Sequence, residues 1–581
     1  MKKVFLLLIT VLFTTCQQHN NNTFITQFEK SGGTETSEYI DVINFYKELS
    51  NTYSEISVFE MGETDAGLPL HLVVYNSDGK TQLNAIKNST KNIVLINNGI
   101  HPGESDGIDA SMLLLRDIVQ NDSLKKSYQN TLIAVIPIYN IGGSLNRNSH
   151  TRANQNGPIE YGFRGNTRNY DLNRDFVKQD TKNAAAFAEI FHTIDPDVFI
   201  DNHVSNGADY QYAISHLFTQ HNKLGASLGK FIETKMRPAI EKSMVTKNMP
   251  ITPYVNVWGG TPKEGWSQFY DSPRYSTGYT TLFNTFGMMV ETHMLKPYRI
   301  RVEQTYELIL SMLDFTQDHS EEIKTIRKNA IGKILKKKTY PIAFEIDLQK
   351  EPSIIQFRGY EGSIIDSKVT IGKRLTYDTS KPYFAPVNYY NEYRAAKETT
   401  IPKAYILRQG WRRVIERLEN NQISYTQFEK DTTLVVETMH VDDYKTRSSA
   451  YEGHYLHYNT SIKIDSIAVR FFKGDLYIPI NQKGARYLME TLEPEATDSF
   501  FNWNFFDTVL QQKEGYSGYV FEDIAEQILK ENTFIKDAFE AKKATDKDFA
   551  KNPRAQLNFI YKRSLHYEKA HLLLPIYKAY E

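Results

Sequence analysis

An apolar, β-branched run, Ile93-Val94-Leu95-Ile96, breaks off into Asn and Gly residues and then delivers His101 and Glu104. After Gly107 the pattern resumes with Ile108, Met112, Leu115 and Val119 on one helical face. A short run without alternation reads as a strand covered on both faces, and the 3.6-residue period after it as a helix packed back on the sheet. Repeated, that succession gives an α/β fold, whose chemistry gathers in the crevice at the strands' carboxyl ends. An imidazole and a carboxylate three residues apart in that crevice suit a zinc ion, which takes nitrogen and oxygen ligands at about 2.0–2.2 Å. Two ligands do not complete a site, so the rest of the chain must supply a third.

Further strands follow the same reasoning. ISVFEMGETDAGLPLHLVVY reads as a hairpin, TLIAVIPIYN (131–140) as a buried strand, DVFIDNH as a short strand finishing on His203, and FGMMVETHM (286–294) as another. Helices are expected over 36–50, over 181–194 with Thr181 as N-cap, over 222–246, and after residue 296. Between them, 144–180 is long, polar and without period, and a loop of that length inside a compact domain is usually functional. The expectation is an α/β catalytic domain over 36–325, with a mixed, mainly parallel sheet flanked by helices. Beyond residue 326 the character changes. Lys336, Lys337, Lys338 and Pro341 read as a linker, and 340–581 as a β-rich accessory domain with one clear helix at 410–420.

At 581 residues the chain exceeds what one core usually supports. Its 68 Lys and Arg against 69 Asp and Glu leave a net charge of −1, which gives no electrostatic case for nucleic acid or an anionic membrane surface. The N-terminus reads as a targeting segment: Lys2 and Lys3, an apolar run from Val4 to Phe13, then Thr14, Thr15 and Cys16. Cys16 is the only cysteine, so no internal disulfide can form. Its place resembles a bacterial lipoprotein signal. That likeness implies a signal peptide over 1–15, a lipidated Cys16, a tether over 16–35, and export to the periplasmic or outer-membrane face of the envelope, with membrane contact through the lipid anchor alone.

Three strand ends thus carry polar residues fit for one site: His101 with Glu104, His203, and Glu291 in MMVETH. Two imidazoles and a carboxylate, with a fourth position open to water, make a catalytic zinc arrangement. Here the chain resembles the zinc carboxypeptidases of the carboxypeptidase A type. HPGE (101–104), NIGG (140–143), DLNRDF (171–176), DNH (201–203) and VET (290–292) stand in that family's order, over roughly residues 50–320.

The resemblance implies one zinc ion held by His101, Glu104 and His203, with Glu291 as general base. It makes Asn173 and Arg174 the pair that binds a terminal carboxylate, which a planar guanidinium recognises bidentately. It assigns Arg164 to the scissile carbonyl, with Arg152 and Arg168 as competitors. The family's mobile tyrosine has three candidates, Tyr270, Tyr275 and Tyr279. Ile-Gly replaces the family's Pro-Asp after Asn140, and Arg274 is a further candidate anion contact. The implied activity is hydrolysis of C-terminal peptide bonds. Two alternatives stand beside it: a murein-peptide amidase of the same fold, and a catalytically inactive peptide-binding lipoprotein. His192, His216, His293, His454 and His457 read as structural, and SFFNWNFF (499–506) as core.

Overall fold

The run at 93–96 lies at the centre of an eight-stranded sheet in the computed structural model, which describes residues 24–580. The targeting segment and Cys16 lie outside the described residues. The strands are β1 (Ile56–Glu63), β2 (Pro69–Tyr75), β3 (Asn92–Asn97), β4 (Thr131–Ile136), β5 (Val198–Ser205), β6 (Ile214–Phe218) and β7 (Thr252–Pro253). The short β8 (Trp266–Ser267) joins a different sheet, and β9 (Phe286–His293) completes the eight in the order β1-β2-β4-β3-β5-β9-β6-β7. The central four, β4-β3-β5-β9, are parallel, while β1, β2 and the β6–β9 pairing are antiparallel.

Successive side chains of β3 enter two different cores. Ile93 and Leu95 join Phe187, Phe191 and Phe199 on one face, and Val94 and Ile96 join Ile108, Met112 and Val302 on the other. Each such side chain, fully buried, contributes about 1.5–3 kcal/mol. The second face is covered by helices Tyr39–Thr52, Asp106–Gln120 and Tyr298–Asp318, and the first by Lys182–Ile194, which Thr181 caps through the Ala184 amide. Gly107 lets helix Asp106–Gln120 start against β5: a Cβ there would fall 2.4 Å from that of Asn202. Around 222–246 the helical stretch is broken at Gly225 (φ 94°) and continues through a π-turn over Ile232–Met236.

The C-terminal region is β-rich. β10 (Thr339–Ile346) pairs with β13 (Tyr393–Thr400), and the hairpin β11 (Ser353–Asp366) and β12 (Lys373–Tyr390) carries β8 along its edge. A six-stranded sheet follows: β14 (Ala404–Leu407), β15 (Thr426–Gln427), β16 (Thr432–Thr446), β17 (His457–Phe471), β18 (Leu476–Pro479) and β19 (Leu573–Ala579).

Three features depart from the sequence reading. Pro341 is part of strand β10 rather than a linker, and stands where the register with β13 shifts, a position a residue without an N–H can occupy. Residues 518–561 are mainly helical, with a small core of Phe521, Phe539, Phe549 and Ile560. The largest core cluster is continuous from Leu95 and Phe199 through Tyr405, Leu488 and Trp503 to Ile576, so both halves of the chain share it. Phe500, Trp503 and Phe506 of SFFNWNFF are fully buried in it.

Candidate metal centre

The parallel order places the ends of β3, β5 and β9 side by side. His101 and Glu104 leave the loop after β3, and His203 lies in β5, in register with Glu291 of β9. The donor atoms of His101, Glu104 and His203 all lie within 4.8 Å of one another. Glu104 Oε2 is 3.2 Å from His101 Nδ1 and 3.0 Å from His203 Nδ1. A tetrahedral ion with bonds of about 2.0–2.1 Å sets its donors roughly 3.3 Å apart, so the three residues fit zinc.

The opposite ring nitrogens bear this out. His101 Nε2 is 2.9 Å from Asp171 Oδ1, and His203 Nε2 is 2.7 Å from Asp201 Oδ2. A carboxylate behind each ring takes the Nε2 proton and leaves Nδ1 as the lone-pair donor. Asp201 is in turn fixed by Asn97 Nδ2 at 3.1 Å and by the Ser276 hydroxyl. Neither Asp171 nor Asp201 was singled out from the sequence, although both stand inside motifs that were, DLNRDF and DNH.

A cavity of about 360 Å³ opens over the three ligands. Glu291, Arg164, Asn173, Arg174, Tyr254 and Tyr275 line it, with Leu217, Phe269 and Met289 as apolar wall. Of the competing arginines, Arg164 faces the cavity, while Arg152 binds Glu104 Oε1 at 2.9 Å and Arg168 turns away toward Asp65 and the Asp180 carbonyl. Arg164 is oriented by Asp171 Oδ2 at 2.8 Å, and its carbonyl accepts from Asn140 Nδ2 at 3.0 Å. The Asn140 side chain also caps the helix that Ile141 and Gly142 begin.

Of the three candidate tyrosines only Tyr275 lines the cavity: Tyr279 is buried and bonds Asn421, and Tyr270 packs on Phe344 and Tyr393. Tyr254, which the sequence reading passed over, joins it there. Arg274 is not a free anion contact, because Asp498 binds it at 2.6 Å.

Burial opposes ionisation of Glu104 and Asp171, but both are held well below the usual carboxylate range. His101 and Arg152 act on Glu104; His101, Arg164 and Arg174 act on Asp171. Burial likewise opposes charge on His203, yet Asp201 and Glu104 raise it well above an ordinary histidine. Glu291 is pushed up to about 8, by burial first and then by the negative charge of Glu104 and Asp201, with His203 opposing.

The remaining histidines have ordinary partners. His192 meets Tyr279 and Asn421, His216 meets Glu241, and His293 bonds Asp209 and stacks on Tyr210. His454 binds Asp180, while His457 binds Thr446 and Asp507, so the two form no ligand pair.

Comparison with known proteins agrees with this geometry. Residues 42–206 match the zinc carboxypeptidase family, a span that holds all three ligands and ends before Glu291. Carboxypeptidase 2 of Trichophyton rubrum is 21% identical over 474 residues, covering 78% of this chain and 81% of its own. Carboxypeptidase 2 of Trichophyton equinum is 20% identical over 427 residues, covering 70% and 72%. A metallo-carboxypeptidase from Burkholderia cenocepacia aligns over 48% of this chain and 68% of its own, with 18% identity and a TM-score of 0.36.

Proposed function

We propose that this chain, which carries a domain of the zinc carboxypeptidase family, is a zinc-dependent metallocarboxypeptidase that removes residues from the C-terminal end of peptides. The observation that carries the reading is the constellation itself. Two imidazole Nδ1 atoms and one carboxylate converge, each ring is backed by an aspartate, and a carboxylate and three cavity-facing cation or amide groups surround them. His101, Glu104 and His203 would hold the zinc. The ion supplies a Lewis acid and lowers the pKa of water to about 7.

The chain's own groups do the rest. Glu291, in register with His203, takes the proton of the attacking water and hands it to the leaving amine. Arg164 donates to the carbonyl oxygen as negative charge develops there, and removing such a donor typically costs about 2.7–4 kcal/mol. Arg174, with one guanidinium face on the Tyr275 ring at 4.6 Å, and Asn173, whose side-chain oxygen accepts from the Ser276 amide at 3.1 Å, take the substrate's terminal carboxylate. Tyr275 is the cavity phenol nearest to that pair in role. Leu217, Phe269 and Met289 offer the terminal side chain an apolar wall.

We further propose a location in a bacterial cell envelope, with an anchor through Cys16. The support is sequence alone: two lysines, an apolar run and a cysteine directly after it.

Metal content and turnover, measured on one sample lacking residues 1–20, test the reading. The expected result is one zinc per chain and stepwise loss of C-terminal residues from a mixed peptide library, abolished by chelator and by Glu291→Gln. Zinc with cleavage of murein peptides alone would reassign the substrate. A chain that binds no zinc would sink the enzyme reading.

A further inference from the structure

The C-terminal region reaches the active site through one tight turn. Tyr451 and His454 bridge each other across Glu452 and Gly453, both at positive φ (49° and 77°), as a two-residue hairpin turn requires. Glycine suits its position twice over, since a Cβ there would fall 2.6 Å from the Tyr170 hydroxyl. Glutamate does not suit a left-handed position, and a non-glycine residue held there costs of order 1–3 kcal/mol, a strain that clusters at functional sites.

What the turn touches gives the strain a meaning. Glu452 Oε2 accepts from the Asp171 backbone N–H at 2.9 Å. Asp171 is the residue whose carboxylate orients both the His101 ring and Arg164, and it opens the short helical turn Leu172–Arg174 that presents Asn173 and Arg174. His454 anchors the far side of the turn to Asp180 at 2.6 Å. The Tyr451 ring stacks on the buried Trp503 at 6.2 Å and carries the Arg274 guanidinium at 5.7 Å, which fixes that end of the turn.

We propose that the 451–454 turn is a positioning element of the active site: Glu452, through the Asp171 amide, fixes the short Asp171–Arg174 segment that presents Asn173 and Arg174 to the substrate's terminal carboxylate. The inference rests on the carboxypeptidase reading and deepens it. The β-rich region supplies part of the device that tells a free C-terminus from a blocked one, which explains why the turn is built against the segment 170–180 rather than facing solvent.

The test separates recognition from folding. In zinc-loaded, full-length Glu291→Gln protein, the affinity for a free-acid peptide is compared with that for its C-terminal amide by calorimetry. Glu452→Ala is expected to shrink the acid-over-amide ratio about tenfold, the worth of one hydrogen bond to a charged group. Glu452→Gln keeps the acceptor for the Asp171 amide and should restore the ratio. An unchanged ratio, or equal weakening toward acid and amide, would overturn the proposal. Turnover of the same free-acid peptide by the protein with Glu291 intact reports separately on the carboxypeptidase reading.

Discussion

Replacing Asp201 by asparagine isolates the influence of a residue that touches no metal. Asp201 is fully buried and accepts three hydrogen bonds: from His203 Nε2 at 2.7 Å, from Asn97 Nδ2 at 3.1 Å, and from the Ser276 hydroxyl. An asparagine of the same shape can turn its oxygen to His203 and Ser276, and its NH2 then faces the Asn97 amide donor. Asn97 Oδ1 is a buried acceptor without a partner, so rotation of that side chain answers the new donor and the fold survives. What is lost is charge. The bond to His203 changes from charge-assisted to neutral, a difference of about 1.5 kcal/mol on typical strengths of 1.5–3 against 0.5–1.5. At 1.4 kcal/mol per decade this is roughly a tenfold loss of zinc affinity, at the lower edge of the 10–100-fold usual for groups that orient metal ligands. Titration against a competing chelator, with thermal unfolding of the apo protein as control, reads the effect directly. Zinc affinity within twofold of wild type would refute the reasoning, as would a loss that tracks global destabilisation of the apo form.

Other outcomes follow from named contacts. Arg174→Lys keeps the charge but loses the planar fork, so the KM for free-acid peptides should rise at least tenfold while amide binding is unmoved, as steady-state kinetics and calorimetry would read. His192 is buried, and burial first, with Lys483 next, lowers it to about 3. Between that value and the unfolded pKa of about 6.5 the unfolded chain binds more protons, so stability present above pH 6.5 falls as the pH drops. Denaturant midpoints measured from pH 7 to pH 4 should show this slope, and His192→Gln should flatten it. Ending the chain at residue 336 would bare one side of the core that Phe187 and Phe199 share with Tyr405 and Trp503, so the fragment should be insoluble rather than merely inactive.

The strands that carry the site were legible because each is an unbroken apolar run, and the ligands were legible because each lies where such a run gives way. Which arginine faces the cavity was not, since Arg152, Arg164 and Arg168 share a stretch with no period and their directions depend on Asp171, Glu104 and Asp65. The tyrosines posed the same problem: Tyr270, Tyr275 and Tyr279 lie within ten residues, and only packing sends Tyr279 into the core and Tyr270 onto Phe344 and Tyr393. Asp171 and Asp201 stood inside recognised motifs, but nothing in a linear pattern says which nitrogen of a ring it will meet. The β10 proline was misread because a bulge, unlike a strand, has no sequence period. The turn at Tyr451–His454 was not singled out, and its partner Asp171 lies 281 residues away.

The charges around the ligands explain why the site needs both a cation and an anionic substrate. Glu104, Asp171, Asp201 and Glu291 face three guanidinium groups, those of Arg152, Arg164 and Arg174. Without a metal, Asp201 and Glu104 hold His203 in its charged form, which offsets the fourth carboxylate. Glu291, which has no guanidinium of its own, is pushed up to about 8 by burial and by its acidic neighbours. A divalent cation on His101, Glu104 and His203 would leave both imidazoles neutral and bring the cluster to one positive charge. That draws Glu291 back toward its ionised form, the form a base for water requires. On the proposed reading, the remaining positive charge would be cancelled by a single carboxylate docked at Arg174. A peptide bearing a free C-terminus brings one such group, and its amide brings none, so the same count that favours zinc also favours the end of a chain over its middle.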